Sequence, residues 1–95
     1  MLTHVVLLQP RPETTEEQIT TALDHVKALQ QAISGIIDIQ AGRNMSSSNQ
    51  GYTYGFVIRF VDSKHFQAYA PHPAHQPVSE ELQRLCQKII DFDIV

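Results

Sequence analysis

Five histidines stand in a 95-residue chain that has no tryptophan and a single cysteine. His65, His72 and His75 fall within eleven residues of one another. Imidazole changes charge near neutral pH, so a histidine in a pocket can exchange a proton with a reacting carbon or oxygen. The same ring ligates metals, but zinc sites take three or four protein ligands. His72 and His75 lack a clear third: His65 belongs to a different helical turn, and Cys86 reads as a partly buried helix residue, an inert small hydrophobe. The structural reading of the cluster is a loop in which Pro71 and Pro73 fix the backbone while His72 and His75 hydrogen-bond carbonyls. Magnesium would prefer oxygens, available from loop carbonyls or from Asp91 and Asp93. Those two aspartates read more simply as solvent-facing residues that discourage pairing along the edge of a terminal strand. No serine–histidine–acid arrangement can be argued. Gly35, Gly42, Gly51 and Gly55 lack the spacing of a phosphate loop.

The elements that must position these residues follow from periodicity. Leu2–Leu8 is a short Val- and Leu-rich run ended by Gln9-Pro10, and reads as a strand. Thr14 and Glu17 have the spacing of a capping box. Beyond them Ile19, Leu23, Val26, Leu29 and Ile33 make one helical stripe, closed by Ser34-Gly35. Ile36–Ala41 reads as a second strand, and Tyr52–Val61 as a third whose Tyr54, Phe56, Ile58 and Phe60 share a face. Asp62-Ser63 can cap a short helix carrying Phe66 and Tyr69, stopped by Pro71. Pro77 suits the first turn of a further helix with Val78, Leu82, Leu85 and Ile89 on its stripe. Ile89–Val95 then alternates as a last strand. The predicted fold is α+β, a ferredoxin-like β-α-β-β-α-β protomer with its second helical region broken.

Composition bounds the rest. With 42% apolar and 18% charged residues the chain reads as one domain over residues 1–95, small enough that its core is thin. A net charge of −3, with the basic residues dispersed singly, argues against a nucleic-acid or anionic-membrane partner. One cysteine excludes an internal disulfide and fits a reducing compartment, and no apolar run approaches the ~20 residues of a spanning helix. The expected location is cytoplasmic. Two helical regions can cover only one sheet face, yet the third strand is apolar on both. A contiguous exposed apolar face is rare on monomers, so a twofold homodimer is expected.

Three stretches resemble the stress-responsive A/B barrel domains, the dimeric α+β barrel family (Dabb). They are His4–Leu8, Gly51–Phe60 and Ala68–Gln76, the last containing Pro71-His72-Pro73-Ala74-His75; Ile90–Asp93 fits as well. The resemblance covers essentially the whole chain. It implies that two protomers pair their sheets into a barrel, with magnesium associated with some such dimers. Some relatives are stress-induced proteins without established chemistry; others are polyketide cyclases that promote an intramolecular aldol reaction. In the cyclase branch, the resemblance implies His75 as the base, Tyr69 as hydrogen-bond donor to a developing enolate, and His4 as the first-strand histidine. Val26 stands where cyclase-type relatives place a tyrosine, and Tyr54 where many relatives carry histidine. No cofactor is implied beyond a weakly held interface magnesium. The two functions in view are a homodimer binding a small apolar ligand without catalysis, and a cyclase or lyase working by proton transfer. His25 and His65 carry no assigned role.

Overall fold

The structure, a computed structural model, describes residues 1–95. Its elements are β1 (Leu2–Pro10), α1 (Glu16–Ala32), β2 (Ile36–Arg43), β3 (Tyr54–Phe60), α2 (Ser63–Tyr69), α3 (His75–Leu85) and β4 (Cys86–Ile94). The strands form one antiparallel sheet in the order β2-β3-β1-β4. This is the expected ferredoxin-like α+β arrangement, with the second crossover helix split in two. No helix is long and apolar enough to cross a membrane.

Strand alternation builds the core. Leu2, Val6 and Leu8 of β1 and Phe56, Ile58 and Phe60 of β3 turn toward the helices and are buried. There they join Ile19, Leu23, Val26 and Leu29 of α1 and Val78, Leu82 and Leu85 of α3 in a single cluster of 17 buried residues. Each such side chain contributes about 1.5–3 kcal/mol by leaving water.

Several boundaries differ from the sequence expectation. The α1 capping box is Thr15 and Gln18: the Gln18 amide donates to the Thr15 hydroxyl at 3.1 Å, and the Thr15 amide to the Gln18 side-chain carbonyl at 2.9 Å. Thr14 and Glu17 do not form it, because the Thr14 hydroxyl donates instead to the Leu85 carbonyl at 2.7 Å, tying the start of α1 to the end of α3. β3 begins at Tyr54 rather than Tyr52, since Tyr52 closes a turn onto Asn49. β2 runs on to Arg43, with a register shift at its start that leaves Ile37 out of the ladder. The third helix stops at Leu85, so Ile89 is a strand residue and Cys86 is the buried first residue of β4, not a helix residue. The β1–β4 ladder, which already pairs Pro10 with Cys86, decides that boundary.

Gly35 is required where α1 passes into β2. Its φ of +90° is left-handed, and a side chain there would overlap the His65 ring. The opposite sheet face carries no helix. Val5, Phe92 and Val57 stand side by side across three strands there, with Ile90 and Ile94 on the same face of β4. Phe92 remains 48% exposed and Ile94 54%.

Candidate functional site

The site is built at the end of the sheet where β1 meets β4 beneath α2 and α3. His4 is the only polar residue among the buried set, at 6% exposure, on the helix-facing side of β1 with Val6 and Leu8. Antiparallel register places Asp93 directly opposite. Because partners across a ladder share a face, Asp93 turns toward the helices, and its carboxylate meets His4 Nδ1 at 2.6 Å. Asp93 is therefore not a solvent-facing guard of a strand edge. With Nδ1–H donated to the carboxylate, Nε2 is the His4 nitrogen left for another partner.

Tyr69 ends α2 with its ring buried at 4% exposure, in edge contact with Phe60 at 5.3 Å and with His4 at 5.9 Å between centroids. Phe66 packs on both Phe60 and His4. Burial pushes the Tyr69 phenol well above its ordinary value of 10, so the hydroxyl stays a donor across the physiological range.

The turn between α2 and α3 sets His75. The His72 amide donates to the Tyr69 carbonyl and the His75 amide to the His72 carbonyl, at 3.1 and 3.0 Å. His72 Nδ1 accepts from the Ala74 amide at 3.0 Å, so this imidazole caps an N–H instead of donating to a carbonyl. Pro71 and Pro73 have no amide hydrogens to satisfy, which suits a turn already using its neighbours this way. His75 does bond a carbonyl: its Nδ1–H donates to Ala70 at 3.1 Å. That bond fixes the tautomer and leaves Nε2 as the basic nitrogen. Burial holds the His75 pKa below its ordinary 6.5; the Ala70 bond works the other way, and nearby His4 lowers it further. The Tyr69 and His75 rings lie 4.4 Å apart.

These three rings line one cavity of about 280 Å³. Its floor is Val6 and Phe56 of the sheet, and its far wall is Val78 and Leu82 of α3. Ile89 and Asp91 close it from β4, with Ser79 and Gln83 at the rim. The space next to Tyr69 is thus open. Asp91 and Asp93, read from the sequence only as possible magnesium oxygens, and Ile89 reach the site because the β1–β4 register sets them opposite Val6, His4 and Leu8. Val26 is fully buried in the core and is not part of the cavity wall, so valine at that position takes no polar group away from this pocket. Tyr54 lies elsewhere, under the Arg43 guanidinium at 5.8 Å.

The remaining histidines are accounted for by packing. His25 pairs with Glu81 at 2.8 Å, linking α1 to α3. His65 packs on Gly35 and bonds Asp62, the α2 cap, through both its amide and its ring. No three His, Cys, Asp or Glu side chains are grouped so as to hold a metal ion. Asp93, one of the oxygens considered for magnesium, is engaged with His4.

Comparison with known proteins bears on what this geometry does. The stress responsive A/B barrel domain family matches residues 2–95. Olivetolic acid cyclase of Cannabis sativa is 26% identical over 92 residues, spanning 95% of this chain and 91% of that protein. Among solved structures, a dimeric ferredoxin-like protein of unknown function from Jannaschia sp. is 29% identical, with a TM-score of 0.87 over 99% of this chain and 97% of that one. Hydroxynitrile lyase from Passiflora edulis superimposes with a TM-score of 0.89 over 98% of this chain and 90% of its own, at 16% identity, a likeness of fold alone.

Proposed function

Since the chain belongs to the stress responsive A/B barrel domain family, we propose that it is a single-domain homodimer whose cavity binds a small carbonyl compound and moves a proton on it. The observation carrying this reading is the convergence of His75, Tyr69 and His4 on one cavity of about 280 Å³, near the lower end of ligand pockets, roughly 300 Å³. His75 Nε2 takes the proton from carbon next to the carbonyl. The electron pair moves onto the carbonyl oxygen, and the Tyr69 hydroxyl donates a hydrogen bond to the resulting enolate. The enolate carbon then attacks a second carbonyl of the same molecule, closing a ring, or takes a proton back. A relative named as a cyclase supports this class of step.

The homodimer is supported by the apolar face around Val5, Val57 and Phe92 and by structural neighbours described as dimeric. A cytoplasmic setting fits the single, buried cysteine. The test is deuterium exchange from the methyl group of an aryl methyl ketone in heavy water, followed by NMR. Wild type should exchange it above the buffer rate and His75→Ala should lose about a hundredfold or more of that gain, with dimer and melting temperature nearly intact. A His75→Ala variant that exchanges like wild type would leave only ligand binding without catalysis. A large loss of stability in the same variant would assign His75 to the loop's architecture.

A further inference from the structure

Apart from its two histidine rings, the cavity lining holds one ionisable side chain of full charge, and it is a carboxylate. Asp91 belongs to the lining itself, and Asp93 sits behind His4 on the same strand and face. No lysine or arginine is among the lining residues. The Arg11 guanidinium, which bonds the backbone of the lining residue Gln83, is committed to the Gln83 and Arg84 carbonyls at 3.3 and 3.0 Å. At His75, burial disfavours the charged ring and so works against a compensating positive charge. The remaining polar groups divide by role. Tyr69 donates, His75 Nε2 accepts a proton, Asp91 accepts hydrogen bonds, and the Gln83 amide is engaged with the Ser79 hydroxyl.

From this arrangement we infer that the cavity selects an uncharged carbonyl compound bearing a hydroxyl group, and rejects carboxylates of the same size. The inference rests on the proton-transfer reading for the placing of the carbonyl at Tyr69; it adds the ligand's charge and its second polar group. The carbonyl oxygen faces Tyr69, the acidic carbon faces His75, and the ligand's hydroxyl donates to Asp91. A ligand carboxylate in that last position would meet the Asp91 carboxylate with no cation between them. Like charges at contact in a partly closed site repel strongly enough to decide between ligands of one shape.

Two probes of nearly one shape test this: 3-(hydroxymethyl)acetophenone and 3-acetylbenzoate. Isotope-labelled protein is titrated with each at pH 7.5 and low salt, with the His75 and Tyr69 resonances as the readout. Wild type should bind the uncharged probe at least about fivefold more tightly, and Asp91→Asn should bring the two within about twofold. Equal or tighter binding of the carboxylate by wild type overturns the inference. So does a preference that Asp91→Asn leaves unchanged, or a failure of both probes to perturb either resonance. Deuterium exchange at the acetyl methyl, read on the same samples, separates the two proposals. Exchange without charge preference overturns the ligand class alone; charge preference without exchange overturns the proton transfer alone.

Discussion

At the scale of the residue, the site turns on two hydrogen bonds that point imidazoles. His75 donates Nδ1–H to the Ala70 carbonyl and His4 Nδ1 meets the Asp93 carboxylate, so Nε2 is the nitrogen each ring has left for a ligand. Tyr69 contributes a hydroxyl on a ring that is also core. Tyr69→Phe keeps the contacts with Phe60 and His4, so urea unfolding should shift by no more than about 1 kcal/mol. Methyl-ketone exchange should fall by about a hundredfold, the usual cost of losing one donor to an oxyanion. His75 also predicts a pH dependence. Its folded pKa lies below the unfolded 6.5, so between the two values the unfolded chain binds more protons. Its contribution to stability is therefore fully present above pH 6.5 and is lost as pH falls through the folded value. Denaturant midpoints taken from pH 7.5 to 5 should fall more steeply in wild type than in His75→Gln. The rising limb of the exchange rate should likewise lie below pH 6.5.

At the scale of the element, β4 does two jobs with opposite faces. Asp91 and Asp93 turn toward the helices and the site, while Ile90, Phe92 and Ile94 turn to the uncovered side. Asp93→Ala removes the only side-chain tie between β1 and the end of β4. It should cost about 1.5–3 kcal/mol, in line with hydrogen bonds to charged groups, and amides of Asp91–Ile94 should exchange with solvent faster than those of β3. The α1–β2 junction is equally specific. At Gly35 the positive φ and the His65 ring both resist a side chain, so Gly35→Ala should destabilise by at least about 1–2 kcal/mol, measured by urea unfolding. The helix boundaries show how local signals compete with tertiary ones. Thr14 had the right type and spacing for a cap. It lost that role to Thr15 because its hydroxyl finds the carbonyl at the end of α3.

At the scale of the whole molecule, the helices cover one sheet face and leave the other apolar. Val5, Val57 and Phe92 lie side by side on it, and beyond them the Arg59–Asp38 ion pair makes one end polar. Arg59, hydrogen-bonded to Asp38, holds that carboxyl below its ordinary value. Burying this face against a second copy would give a particle of twice 10.7 kDa. Phe92→Lys places a charge on this face and should yield the single-chain mass in light scattering at micromolar concentration, with the helix-side core retained. A wild-type mass of 10.7 kDa under the same conditions would overturn the homodimer.

Local residue patterns settle the set of elements and their faces. Period-two and helical spacings depend on neighbours only a few residues away, so the strands, the α1 stripe and the division at Pro71–Pro73 were legible. So were the histidines and the tyrosine worth watching. The tertiary structure alone decided which of them meet. His4 and Asp93 are 89 positions apart and touch because β1 and β4 pair in one register, and a slip of one residue would turn Asp93 to the other face. The same register ended α3 at Leu85 and carried Ile89 and Asp91 into the cavity wall. Register is a property of two strands packed under a common layer of helices. No local pattern encodes it, and so the surplus of histidines became a site only once the sheet was closed.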